Sequence, residues 1–177
     1  MKQSVMRPQD VVVMLKMLAD AEVVETMTSI AESLCISQSE VSGALERCRI
    51  AKLVNETKKR LNVLALRDFL VSGLQYVFPA IVGPIVRGVS TYISASPIME
   101  TVSADGESYV WPYKKGSSRG TSIIPLYSTV PEAVQKDMEL YKLLVIVDTL
   151  RVGKTREREV AIKELDKYLK HYADNQY

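Results

Sequence analysis

Residues 47 to 60 hold Arg47, Arg49, Lys52, Lys58, Lys59 and Arg60 against a single acid, Glu56. The whole chain has a formal charge of only +2, so this positive charge is local, and a local basic patch is the footprint of a phosphate-binding surface. A solvated face of ordinary lysines is the plain alternative. Just upstream, Val41, Ala44, Leu45 and Cys48 recur at helical spacing. At about 100° per residue, Ser39, Ser42, Gly43 and Glu46 then point the other way, with Gln38 at the N-terminal end. Such side chains can read base edges in a major groove. A glutamine pairs bidentately with adenine and a carboxylate accepts from cytosine N4, while a glycine lets a helix sit close to a backbone. A serine-rich outer face is also what any soluble helix presents.

Other chemistries find fewer residues. His171 is the single histidine and lies near the end of the chain, so no Ser-His-Asp or Cys-His arrangement can be assembled. No paired carboxylates sit in a recognisable motif. Cys35 and Cys48 are too few for a disulfide framework, and a zinc site would lack ligands. Cys48 lies on the apolar stripe, so core thiols are a simpler reading than a redox pair. The phosphate-loop pattern G-x-x-x-x-G-K-[ST] is absent. The reading is a binding protein, not an enzyme, with no cofactor and no metal.

The candidate residues need elements to position them. Ile30 and Leu34 share a face of one helix, and Val41 opens the next. Between them Cys35, Ile36 and Ser37 allow only a sharp turn. Ser37 and Glu40 read S-x-x-E, a capping box in which each side chain satisfies the other residue's backbone N–H. Ser29 and Glu32 read the same way for the first helix. Leu53-Val54-Asn55, Glu56 to Lys59 and Arg60 to Val63 read as strand, turn, strand, with a basic tip at Lys58, Lys59 and Arg60. Upstream, Pro8 suits the first turn of a helix whose Val11, Leu15 and Leu18 face inward.

Ile30-Ala31-Glu32-Ser33-Leu34, Ile36-Ser37, Glu40-Val41-Ser42, Leu45 and Leu53-Val54 together resemble the helix-turn-helix of bacterial winged-helix transcription regulators, the broad group that includes the MarR type. The resemblance covers about residues 8 to 78. It departs where Cys35 replaces the usual turn glycine and where Lys52 replaces the glycine of "GLV". It implies a DNA-binding domain over 1–78, with a recognition helix of about 38–49 in the major groove and a basic wing of 55–60 on the backbone. Gln38, Ser39, Ser42, Gly43, Glu46, Arg47, Lys58, Lys59 and Arg60 would then meet double-stranded DNA. A dimeric transcription regulator follows, with room for a small-molecule effector.

The remainder resembles nothing comparable. Residues 79–130 are rich in Pro, Gly, Ser and Thr. Tyr109 to Tyr113 and Thr121 to Ile124 read as strands of a hairpin around a basic tip. Arg87-Gly88-Val89-Ser90 and Arg119-Gly120-Thr121-Ser122 share the form R-G-x-S. Arg87, Lys114, Lys115 and Arg119 are therefore a candidate anion or ligand site, although glycine and serine are also ordinary turn residues. Residues 69–86 form an uncharged run of 18, approaching membrane-span length, but Pro79, Gly83 and Pro84 break it. A helix from about Arg67 to Phe78, with Leu70, Leu74, Val77 and Phe78 packed inward, and no membrane partner are the reading.

Pro131 opens a helix to about Leu150 that is apolar nearly all round. Asp148 on it pairs with Arg151 or serves as a ligand. A last helix, from Thr155 to about Tyr172, turns Val160, Ala161, Leu165, Tyr168 and Leu169 inward. These helices, 131–177, suggest a homodimer interface. The expected class is α+β, mostly α, in a cytoplasmic protein without a secretory signal in its first ten residues. The alternatives are a winged-helix protein-interaction module, such as an antitoxin or assembly subunit, and a DNA-binding accessory protein without sequence preference.

Overall fold

The computed structural model describes residues 5–22 and 26–176. The helices α1 (Pro8–Ala19), α2 (Met27–Leu34) and α3 (Gln38–Ile50) come first. A tight loop leads to α4 (Val63–Asp68), a π-helical turn (Phe69–Gly73) and α5 (Leu74–Val77). The strands β1 (Val82–Ser90), β2 (Tyr109–Pro112) and β3 (Ser118–Ile123) follow, then α6 (Val130–Ala133), α7 (Met138–Val152) and α8 (Thr155–Asp174). The class is α+β and mostly helical. No helix among the described residues is long and apolar enough to cross a membrane.

α1 begins as its proline suggests, with Pro8 in the first turn. Val11, Leu15 and Leu18 face inward as expected, yet every residue from Gln9 to Leu18 is buried. The helix is not a surface element: it is packed against α2, α3, α7 and α8. One hydrophobic cluster runs through all three of the segments read from the sequence, from Val11 through Val41 and Ile123 to Leu169.

The expected helix from Pro131 to Leu150 is two pieces. α6 stops at Ala133, and α7 restarts with Asp137 as its cap, the carboxylate accepting from the Leu140 N–H at 2.9 Å. The same carboxylate takes a 2.7 Å hydrogen bond from the Lys16 ammonium of α1. Leu143 and Val147, within the 131–177 helices expected to form a subunit interface, have no exposed surface. From Leu143 to Leu150 every residue of α7 is buried inside this chain, while Met138 in its first turn is exposed. The helix ending at Val77 keeps Leu70 and Leu74 buried, but Val77 is exposed, because α5 ends at the surface.

The predicted hairpin does not form, although its strands do. β2 and β3 pair in parallel, with Tyr109 opposite Thr121. β1 runs antiparallel to both, with Val89 opposite Trp111 and Arg87 opposite Arg119, so the three strands close into a small barrel. The link 113–117 crosses the end of β1 instead of folding back. Tyr113 donates its N–H to the Arg87 carbonyl at 3.1 Å. A Cβ on Gly116 would stand 2.1 Å from the Gly88 carbonyl oxygen, and one on Gly88 would stand 1.9 Å from that of Trp111. Backbone meets backbone there, and only glycine fits.

Asp148 joins this barrel to the helices. It is buried, and it accepts from the Thr91 hydroxyl at 2.9 Å, the Trp111 indole N–H at 2.6 Å and the Arg151 guanidinium at 2.9 Å. Arg151 also donates to the carbonyls of Phe78 (2.9 Å) and Pro79 (3.2 Å), closing the end of α5. Of the two readings of Asp148, the pair with Arg151 is the one observed. Burial pushes its carboxyl above the usual range, against the pull of Arg151 and the two neutral donors. Truncating one member of a buried pair leaves its partners unsatisfied, at about 3–5 kcal/mol. Asp148→Ala is therefore expected to lower the urea-unfolding free energy by about that much; a change under about 1 kcal/mol, the worth of an exposed pair, would show the hub to be dispensable.

Candidate nucleic-acid interface

The turn between α2 and α3 is built by caps. Ser37 precedes α3, its hydroxyl accepting from the Glu40 N–H at 3.2 Å, and its own N–H donating to the Glu40 carboxylate at 2.9 Å. This is the box that S-x-x-E predicts. The box at the start of α2 lies elsewhere: Thr26 is the cap and Ser29 its partner, at 2.9 Å from the Thr26 N–H, in place of Ser29 and Glu32. The helix starts one turn earlier than the apolar pattern alone implies.

Cys35 has φ +54 and Lys52 has φ +59. Both adopt the left-handed conformation that disfavours a side chain, at a steric cost, and both stand where the pattern this stretch resembles has glycine. Cys48 is buried, which pushes its thiol up to about 12, while Cys35 is exposed; both are free thiols. Core packing therefore accounts for Cys48 alone.

Gln38, Ser39 and Ser42 are exposed on the outer face of α3, and Gly43 is half-buried beside them. The Gln38 amide nitrogen donates to the Thr28 hydroxyl at 2.9 Å, which holds the side chain across the turn. Arg47 does not join this face. Its guanidinium lies on the buried Asp10 carboxylate through two hydrogen bonds, Nε at 2.8 Å and Nη2 at 2.7 Å. A bidentate pair of this kind is strong, and it fastens α3 to α1. Two of its five N–H donors are spent on Asp10 and its side chain is mostly buried, so Arg47 has a structural role in joining the helices.

The 55–60 segment is not a strand pair. A single bridge, Val54 to Leu61, closes a loop without further ladder. Asn55 substitutes for the missing strands: its side-chain oxygen accepts from the N–H groups of Lys59 (3.0 Å) and Arg60 (3.1 Å). Lys58, at φ +59, turns back toward α3 and pairs with Glu46 at 2.6 Å. Glu46 also takes Arg49 on both oxygens, at 3.1 and 2.8 Å. With three donors on its carboxylate, Glu46 positions the loop against α3. Lys59, Arg60 and Lys52 carry no ion pair among the described residues.

The rest of the chain clamps this surface. Tyr127 donates to Glu40 at 2.8 Å and Thr129 to the Leu34 carbonyl at 2.7 Å. The Tyr172 hydroxyl of α8 accepts from the Leu61 N–H at 3.1 Å, and Arg67 pairs with Asp166 of α8 at 2.6 Å. Asp166 takes this longer-range partner although Lys170 lies one helical turn away on α8. A groove of about 750 Å³ separates the loop from α2, with Met27, Ile30, Leu45, Lys59 and Tyr172 among its walls.

No protein-family model, no curated protein and no solved structure matches this chain. Geometry alone therefore carries the functional argument. The barrel cations form a separate group: Arg87, Lys114, Lys115 and Arg119 are all exposed, and register brings Arg87 and Arg119 side by side. Sequence reasoning overlooked Asn55 as the organiser of the loop. Its signal was an Asn at the mouth of a turn, where the side chain bonds the backbone a few residues on.

Arg49 first, then Lys58, hold the Glu46 carboxyl down at about 2. The sign follows from the depressed value: the clasp is complete above the ordinary carboxylate range and is lost as pH falls through about 2. A carbon-detected NMR titration should place the Glu46 midpoint near 2, and Lys58→Ala should move it upward. An ordinary carboxylate midpoint in the native chain would break the clasp.

Proposed function

We propose that this chain binds double-stranded DNA as a transcription regulator, with the N-terminal face of α3 in the major groove and the 55–60 loop along the phosphate backbone. One observation supports this most directly. A capped helix turns Gln38, Ser39 and Ser42 outward, and a side-chain-organised loop fastened to the same helix through Lys58 and Glu46 carries the unpaired Lys59 and Arg60. Helix N-termini that meet base edges, with flanking cations on phosphates, are how helix-turn-helix proteins dock. The left-handed backbone at Cys35 and Lys52 supports the winged-helix reading as well. In this reading two copies occupy a palindromic site, because one helix covers only a half-site. Their interface is drawn from surface outside α1 and the Leu143–Leu150 stretch of α7, which are buried within each copy.

Selection of bound duplexes from random DNA tests the reading. A recovered consensus with two half-sites about 10 base pairs apart, or a multiple, is the expected outcome; recovery of no preferred sequence would sink it. Gln38→Ala should relax preference at one or two base pairs, at about 1–3 kcal/mol each. Lys59→Ala combined with Arg60→Ala should weaken binding to every sequence. It should also flatten the salt dependence by about one unit per contact; an unchanged slope would remove the loop from the interface.

A further inference from the structure

The R-G-x-S repeat at 87–90 and 119–122 has two halves with different explanations. The glycines belong to barrel closure: a Cβ on Gly88 would strike the Trp111 carbonyl, and one on Gly120 would lie 2.4 Å from the Ser108 carbonyl oxygen. Closure asks nothing of the arginines. Arg87 and Arg119 are nevertheless opposite one another in the β1/β3 register, so both side chains leave the same outer face. Like charges directly opposite destabilise an antiparallel pair. No acid answers them. Neither arginine forms an ion pair among the described residues, and Arg87 reaches only the Gly116 carbonyl, at 3.5 Å.

The surroundings add charge of the same sign. Lys114 and Lys115 are exposed on the link that crosses the end of β1. Between Ile81 and Met99, and again between Ser108 and Pro131, the chain has no Asp or Glu. All the formal charge of the three strands and of this link is positive, in a chain whose net charge is only +2.

We propose that this outer face of the barrel is a second nucleic-acid backbone surface, with Arg87 and Arg119 flanking one phosphate and Lys114 and Lys115 taking neighbouring ones. The openness of the face points to a polyanion. An exposed cation pair holds a single small anion weakly in water, whereas each contact along a chain of phosphates releases condensed counterions. Arginine suits the central position, because its planar fork matches phosphate oxygens bidentately. The proposal goes beyond the reading of α3 and fails or holds separately from it.

The test uses the full chain and measures binding of a random-sequence duplex and a random-sequence single strand across a salt series. Arg87→Gln with Arg119→Gln should lower the salt slope by about one unit per lost contact. Sequence preference should be unchanged and the thermal midpoint no lower, since a repulsion has been removed. Arg87→Lys with Arg119→Lys should restore the slope; if that variant loses as much as the glutamine pair, the effect is not phosphate charge and the proposal falls. It falls equally if the glutamine variant keeps the wild-type slope, or if the wild type binds neither nucleic acid. Inorganic phosphate that binds the barrel arginines without affecting nucleic-acid affinity would overturn the backbone assignment. Loss in the arginine variant beside unaltered binding in the Lys59/Arg60 variant keeps the barrel surface and removes the loop reading; the reverse pattern removes the barrel surface.

Discussion

Every residue of α7 from Leu143 to Leu150 is buried, and the rest of the chain is arranged to cover that stretch. Leu140, Leu143, Val145, Ile146, Val147 and Leu150 are fully buried, and they point in every direction around the axis. A helix apolar all round must be enclosed. α1, α5, α8 and a 3-10 turn before β2 enclose it. At about 25 cal/mol per Å² of apolar surface removed from water, this enclosure stabilises the fold. It is also non-directional, so it does not by itself decide which element lies where.

Direction comes from a few buried charges. Asp148 fixes the barrel and the end of α5 to α7, Lys16 and Asp137 fix α1 to its start, and Asp10 with Arg47 fixes α3 to α1. Each is a costly group to bury, and each is tolerable only with its partners in place. Hydrophobic packing holds the elements together, and these pairs set their order around α7. They also account for polar residues in otherwise apolar helices, which a search for catalytic carboxylates would otherwise claim.

How much of this could be read beforehand depended on how local the cause was. The helix-turn-helix was legible because its causes lie within a few residues: the Ile30–Leu34 face, the Ser37–Glu40 box, the apolar stripe from Val41 to Cys48. The Arg47–Asp10 pair was not legible, for the opposite reason. Arg47 sits among basic residues in sequence, but its partner, Asp10, is brought near only by tertiary packing. Glu46 likewise looks free on a helical wheel and is engaged by Lys58 once the loop folds back. β1 was invisible because Gly83, Pro84 and Gly88 all argue against a strand. The proline is tolerated near the start of β1, in the stretch where only β3 pairs with it and the register is irregular. The parallel pairing of β2 and β3 had no local signal at all, since five intervening residues ordinarily mean a hairpin.

That closure has a consequence for how the two basic surfaces relate. The segment leaving β3 does not wander: Tyr127 holds Glu40 in the α3 cap, and Thr129 holds the end of α2. α8 holds the loop through Tyr172 and α4 through Asp166. α3 is thus fastened at its own N-terminus to the chain that follows the barrel. A helix-turn-helix on a free linker samples many orientations, and a nucleic acid touching it constrains nothing else. Here the α3 face and the Arg87/Arg119 face belong to one packed body with a continuous core. A single strand or duplex that engaged both would have its path fixed by the protein, and two that engaged one each would be held at a fixed angle. Either way, in the proposed reading, the hydrogen bonds that cap α3 would also set the geometry of a bound nucleic acid.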